Sequence, residues 1–312
     1  MDKDKIYDVV IIGGGPAGLT AGVYAGRARM ATLLVEKGIS GGQMALTEMV
    51  ENYPGFPRGI AGAELANRME EQATHFGVEI LNDEVEGLEV QEPVKVVRTA
   101  GGGEVRTRCL ILATGADHRR LGVPGEEEYS GRGVSYCATC DGAFFRDQDL
   151  IVVGGGDSAV EEGLFLTRFA RSVTIVHRRD ELRAQAILQE RAKREPKVRF
   201  VWNTVVEAIH GDGQKVTGVA TRDVRTGQRG ELPAAGVFIY VGMNPGTAFL
   251  PAGVALDGEK YVVVDGNLQT SVPGVFAAGD CRQKQVRQVA NAVGDGTVAA
   301  MMAEKYVAAL EG

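Results

Sequence analysis

Histidine and cysteine are scarce in this chain, with four of each among 312 residues, and tryptophan occurs once, as Trp202. Four cysteines at 109, 137, 140 and 281 do not resemble the disulfide framework of a secreted domain, and a chain this long does not need one. A zinc centre takes about four nitrogen or sulfur ligands, yet Cys109 and Cys281 each stand far from the close pair and from each other. His75, His118 and His210 show no ligand pattern and read as surface or loop residues, and Trp202 reads as packing. No apolar run approaches the ~18 residues of a membrane span. The opening Met1-Asp2-Lys3-Asp4 lacks signal-peptide character, so a cytoplasmic protein without membrane attachment is expected. Excess positive charge is missing as well: 34 Lys and Arg against 41 Asp and Glu leave a net charge of −7, which argues against a nucleic-acid surface.

What the chain does hold is the make-up of an ordinary globular protein, 44% hydrophobic and 24% charged. Its length corresponds to roughly two domains at about 150 residues each. Its 43 glycines suit tight turns and close approach of backbone to ligand. The first cluster follows the apolar run Asp8-Val9-Val10-Ile11-Ile12, a buried parallel strand by composition. Gly13-Gly14-Gly15-Pro16-Ala17-Gly18 then opens a helix expected to reach about Arg29. This is G-x-G-x-x-G in a strand–turn–helix setting, the pattern that brings a pyrophosphate against backbone and a helix N-terminus. A second strand, residues 31–35, ends at Glu36, the acid expected about twenty residues on to bind ribose hydroxyls. Further along come Gly41-Gly42-Gln43, a turn-rich stretch at 52–57, a helical pattern over 62–76, and a strand from Cys109 into Ala113-Thr114-Gly115.

After a Gly- and Pro-rich linker at 121–125 the pattern repeats. Asp149-Leu150-Ile151-Val152-Val153 leads into Gly154-Gly155-Gly156-Asp157-Ser158-Ala159, a helix through about Phe169, and a strand at 172–176. The place of the ribose-binding acid is now held by His177-Arg178-Arg179, with Arg183 one turn later. An acid repels a 2′-phosphate, whereas guanidinium groups pair with it, so this copy should prefer NADPH. An exposed basic face is the competing reading. Toward the end, a strand over 235–242 is followed by Val275 to Ala278 leading into Gly279-Asp280, where Asp280 suits a ribityl hydroxyl. A helix from about Val289 to Leu310 follows, with Gly294 and Gly296 as places where it can break, and its N-terminus suits negative charge on a reduced flavin.

Between the two glycine clusters lies Tyr136-Cys137-Ala138-Thr139-Cys140-Asp141-Gly142. A Cys-x-x-Cys pair opens to a dithiol and closes to a disulfide, carrying two electrons, and the adjacent carboxylate of Asp141 can trade a proton with a thiolate. Zinc binding and an inert buried pair compete with this reading. For Cys109 and Cys281, packing is the better explanation.

These motifs, in this order and over nearly the whole length, resemble the low-molecular-weight thioredoxin reductases, which are FAD-containing NADPH:disulfide oxidoreductases. The Cys-Ala-Thr-Cys-Asp-Gly hexamer is the specific part; the glycine motifs alone are not. The resemblance implies an α/β fold of two Rossmann-like dinucleotide-binding domains, the NADPH domain inserted into a discontinuous FAD domain. FAD would take residues 1–116 and 245–312, and NADPH and the redox pair would take 117–244. It implies a homodimer, thioredoxin as the protein substrate, and a rotation of the inserted domain between turnover steps. Carried over by position, Cys140 is the flavin-proximal thiol, Cys137 attacks the disulfide of thioredoxin, and Asp141 is the proton donor. FAD contacts would come from Gly13, Gly15, Pro16, Ala17, Gly18, Glu36, Lys37, Gly42, Gln43, Asn52, Ala113, Thr114, Gly115, Gly279, Asp280, Arg287, Gln288 and Val289. NADPH contacts would come from Gly154, Gly156, Asp157, Ser158, Ala159, His177, Arg178, Arg179 and Arg183. Between Gly279-Asp280 and Arg287-Gln288 the stretch Cys281-Arg282-Gln283-Lys284-Gln285-Val286 departs from the family's form, and Val289 stands where a smaller residue is expected. Neighbouring activities are a disulfide reductase or dithiol oxidase with another thiol partner. From another class, a zinc-stabilised nucleotide-sensing module shares the Cys-x-x-Cys.

Overall fold

Runs of Val, Ile and Leu without polar alternation build strands covered on both faces, and these form the centre of each half of the molecule. The structure, a computed structural model, describes residues 5–47, 49–90 and 93–311. The opening residues 1–4, read above for signal character, lie outside the described residues. The chain divides into two compact units, Met1–Asp117 with Asn244–Gly312, and His118–Met243.

In the first unit, strand Ile6–Ile12 lies parallel between Thr32–Glu36 and Glu104–Leu112. Glu79–Asn82 extends the sheet on one side, and the short strand Val275–Ala277 pairs parallel with the end of Glu104–Leu112. An antiparallel extension, Lys95–Thr99 and Val85–Glu89, completes seven strands. Side chains alternate to opposite faces along a strand, so Val9 and Ile11 enter one apolar cluster while Val10 and Ile12 enter another. Helices Pro16–Arg27 and Val289–Glu311 pack in the first of these clusters through small residues, among them Ala21, Ala25, Ala299 and Ala303. The first helix stops at Arg27, short of the expected Arg29, because Arg29 takes a left-handed φ of 58°. The last helix is unbroken from Val289 to Glu311, against the expected break. Gly296 does not interrupt it: a Cβ there would lie 2.2 Å from the carbonyl oxygen of Ala17, so the glycine is used for close helix packing.

The second unit repeats the plan. Parallel strands run in the order Val198–Val201, Ser172–Val176, Asp149–Gly154, Gly236–Tyr240 and Val134–Ser135. Helix Asp157–Leu166 follows the second glycine cluster and ends before Phe169. An antiparallel meander of Thr204–Gly211, Val216–Asp223 and Arg229–Pro233 forms a separate three-stranded sheet. Two dinucleotide-binding folds of the Rossmann type are therefore present. Among the described residues no helix is long and apolar enough to cross a membrane.

Candidate active site

The first glycine cluster is fixed by steric necessity. Gly13 has a φ of 106°, and a Cβ on it would meet the Ala113 carbonyl oxygen at 2.3 Å. This close approach holds the loop against Ala113, Thr114 and Gly115, where the strand Glu104–Leu112 ends. A Cβ on Gly18 would fall 1.8 Å from the Gly13 oxygen, so both loop and helix need glycine there. Gly15 is the opposite case, with nothing within 4 Å of a Cβ built on it. Helix Pro16–Arg27 starts with a proline, and no side chain caps its N-terminus, which leaves its first amides and positive pole for an anion. Glu36 sits at the strand end as expected, and its carboxylate accepts from the amides of Gly14 at 2.5 Å and Gly38 at 2.9 Å. Four lone-pair sites serve two such bonds and leave room for hydroxyl donors. Lys37 lies 3.8 Å from Glu84.

Other expected residues converge from distant parts of this unit. Asn52 donates to the Gln288 side-chain oxygen at 3.0 Å across 236 residues of sequence. Gln43 donates to Asp117 at 2.7 Å, and Gly42 has a positive φ. Gly279 and Asp280 form a 3-10 turn, and Val289 starts the last helix. Arg287 lays its guanidinium 4.4 Å from the Tyr261 ring centroid, with a buried Nε that has no hydrogen-bond partner. Asp280 Oδ1 is likewise buried without one. Buried polar atoms are nearly always satisfied in folded proteins. Two such atoms, the open face at Gly15 and an uncapped helix start fit a large polar ligand such as FAD.

The second cluster shares the geometry. Gly154 has a φ of 154°, and a Cβ on it would lie 2.4 Å from the Tyr240 oxygen and 2.7 Å from Ala159. His177 does not reach outward: its buried ring packs where a Gly155 Cβ would sit, 2.3 Å from that point. Burial, then the charges of Arg179 and Arg183, push the His177 imidazole below its ordinary range. Its Nε2 is buried and unpartnered. Arg178, Arg179 and Arg183 are exposed, and none has an ion-pair partner among the described residues. Arg183 Nη2 comes within 3.9 Å of the point a Gly156 Cβ would occupy. Asp157 accepts from the Gln185 amide at 2.7 Å and its side-chain nitrogen at 3.0 Å, so it ties the arginine segment to the glycine loop. Ser158 is exposed and Ala159 buried in the first turn of the helix. Unpaired guanidinium groups beside an open glycine loop fit the 2′-phosphate of NADPH.

Cys137 and Cys140 are joined as a disulfide, with Cα atoms 5.3 Å apart. Their sulfurs bind each other, and among the described residues no group of three or more His, Cys, Asp and Glu is arranged to hold a metal ion. Cys137 caps the short helix Ala138–Asp141, its sulfur accepting from the Cys140 amide at 3.2 Å. That N–H favours a thiolate on Cys137 once the bridge opens. Asp141 accepts from the Ser135 hydroxyl at 2.6 Å, and Ser135 Oγ in turn accepts from the Cys137 amide at 3.1 Å. The Tyr240 hydroxyl accepts from the Ala138 amide at 2.6 Å. Burial, then the charge of Glu162, push the Tyr240 phenol far up, so it stays neutral. Sequence reasoning missed Ser135 and Tyr240. Ser135 lies two residues before the motif, but Tyr240 is 102 residues from Ala138 and nothing local marks it. Cys109 and Cys281 are buried and outside the disulfide, Cys281 with its thiol pushed up by burial, a setting that suits packing.

The family profile described as pyridine nucleotide-disulphide oxidoreductase matches residues 7–296. A thioredoxin reductase of Listeria monocytogenes is 54% identical over 310 residues, covering 99% of this chain and 96% of the relative. One of Bacillus subtilis is 52% identical over 312 residues, covering 100% and 98%. The crystal structure of a thioredoxin reductase from Streptococcus pyogenes superposes with a TM-score of 0.92 at 50% identity, covering 97% of this chain and 99% of that one. With two Rossmann-type folds, a disulfide before the second glycine loop and these relatives, the chain belongs to the pyridine nucleotide-disulphide oxidoreductase family, among its low-molecular-weight thioredoxin reductases.

Proposed function

We propose that the protein is an NADPH-dependent thioredoxin-disulfide reductase, in which the Cys137–Cys140 disulfide passes electrons to oxidised thioredoxin. The carrying observation is that disulfide, set on a short helix turn whose Ala138 amide is held by the Tyr240 hydroxyl and whose Asp141 carboxylate accepts from Ser135. In the proposal Met1–Asp117 with Asn244–Gly312 holds FAD, and His118–Met243 holds NADPH. Bound FAD supplies the relay that turns a hydride from NADPH into a reducing pair for a disulfide. The protein's residues do the rest. The first glycine loop and Glu36 bind the dinucleotide, while Arg178, Arg179 and Arg183 select the phosphorylated nicotinamide cofactor. Opening the disulfide breaks one S–S bond and takes up two electrons and two protons, leaving two thiols. Cys140 would be the thiol that exchanges with the flavin, and Asp141 would hold and return a proton at its carboxylate. Cys137, its thiolate favoured by the Cys140 amide, attacks the disulfide of thioredoxin and forms a mixed disulfide. Cys140 then attacks Cys137, reforms the intramolecular bond and releases reduced thioredoxin.

A homodimer and a cytoplasmic setting belong to the same reading, the latter supported by two buried cysteines left reduced. The test is NADPH oxidation with oxidised thioredoxin, a glutaredoxin-like protein, small disulfides and oxygen as competing acceptors. Thioredoxin should be preferred, and its reduction should vanish in Cys137→Ser and Cys140→Ser. Equal turnover with all acceptors, or normal thioredoxin reduction by Cys140→Ser, contradicts the proposal.

A further inference from the structure

The segment that departs from the family's sequence form carries a buried charge cluster. The Lys284 side chain is 5% exposed, and its Nζ lies 3.0 Å from Asp295 Oδ2 and 3.5 Å from Asp280 Oδ1. Asp295 comes from the last helix and its side chain is 8% exposed. It accepts two bonds from Arg282, at 2.8 and 2.7 Å, and a third from the Gly279 amide at 3.0 Å. Burial pushes the Asp295 carboxyl up, but Arg282 and Lys284 outweigh it and leave the group below its usual range. Asp295 is therefore a saturated anchor that ties down the residue before Asp280 and the ammonium beside it.

Asp280 is not saturated. Its buried Oδ1 has Lys284 at ion-pair distance but no hydrogen bond, while the side chain as a whole remains 30% exposed. A desolvated carboxylate costs free energy unless it is paired or hydrogen-bonded. Here Lys284 supplies charge, and Oδ1 keeps acceptor capacity for a further donor. That combination suits an acceptor kept ionised for donors arriving on a ligand. Burial pushes the Asp280 carboxyl up, and Lys284 and Arg287 oppose that push. The other titratable groups acting there are Asp295, Tyr261 and Cys281.

We propose that Lys284, held by Asp295, is a positioning residue that keeps Asp280 an anion and presents it to the hydroxyl-bearing chain of the bound flavin dinucleotide. The inference rests on the placement of FAD in this unit. Without Lys284, burial acts on Asp280 opposed only by Arg287, and the carboxyl is pushed further up and protonates more readily. A neutral carboxyl is a weaker acceptor, since hydrogen bonds to charged groups are roughly twice as strong.

The experiment titrates FAD into the full-length protein stripped of flavin, following flavin fluorescence, for wild type, Lys284→Met, Lys284→Gln, Lys284→Arg, Asp280→Asn and the Asp280→Asn/Lys284→Met pair. At pH 7, Lys284→Met should weaken binding about tenfold or more, the scale of one charge-assisted hydrogen bond, and Lys284→Arg should restore most of it. Raising the pH to about 9 should recover the Lys284→Met loss as Asp280 ionises, with wild type unchanged. In the Asp280→Asn background Lys284→Met should have little further effect. Should Lys284→Met not fold by circular dichroism, Lys284→Gln, which removes the charge and keeps a polar side chain, carries the same expectation. Equal affinity in wild type and the folded variants overturns the inference and leaves the proposed function standing, as does an undiminished Lys284 effect in the Asp280→Asn background. A wild-type chain that binds no FAD overturns both.

Discussion

In the proposed function the preference for NADPH rests on single residues. Arg178, Arg179 and Arg183 are exposed cations without ion-pair partners among the described residues, beside a glycine loop, and the Arg183 backbone N–H donates to the Gly155 carbonyl oxygen of that loop at 2.7 Å. A hydrogen bond to a charged group contributes about 1.5–3 kcal/mol. Replacing Arg178 and Arg179 together by Ala should therefore raise the KM for NADPH by at least about tenfold and leave that for NADH nearly unchanged, a comparison steady-state kinetics makes directly. These arginines were readable because they replace an acid at a known offset from Gly154. Tyr240 was not readable, because its partner Ala138 belongs to a distant part of the sequence. Tyr240→Phe leaves the amide of buried Ala138 without its acceptor, an unmet bond that costs about 1–3 kcal/mol. A lower thermal midpoint with the disulfide still formed is the expected result, and an unchanged midpoint contradicts the assigned role.

At the scale of elements, the strand–glycine–helix units were legible because each depends on local rules: an apolar run, a glycine where backbone meets backbone, and free amides at a helix start. The last helix shows where such rules stop. Gly294 and Gly296 look alike in sequence, yet a Cβ at 296 meets the Ala17 oxygen at 2.2 Å and one at 294 meets nothing within 4 Å. The Gly296 contact is with a segment that precedes it by most of the chain, which periodicity does not reveal. Gly296→Ala gains helix propensity of up to about 1 kcal/mol but must push two packed helices apart, at a cost of about 1–3 kcal/mol. It should destabilise, while Gly294→Ala should stabilise by about 0.5–1 kcal/mol. Urea unfolding of the flavin-free chain separates the two, and equal shifts contradict the packing account. The same limit hid the Asp295 cluster, since Arg282 and Lys284 find their common partner on a different element.

For the whole molecule, acid stability follows from opposing carboxyl groups. Asp295 is held below its ordinary range, so its contribution is full above the unfolded carboxylate value and is lost as pH falls through the depressed folded one. Glu162, raised by burial and then by the charge of Glu161, works the other way, and its contribution is lost as pH rises through its folded value. Urea midpoints measured from about pH 5 to 3 should fall less steeply in Asp295→Asn than in wild type. The proposed function requires two electron stores in one chain, a flavin and the Cys137–Cys140 disulfide. Anaerobic titration with NADPH, followed in the visible spectrum, counts those stores. About two equivalents per chain are expected for wild type and about one for Cys140→Ser, since each store is a two-electron couple; the same count for both proteins, or no flavin band to bleach, contradicts the relay.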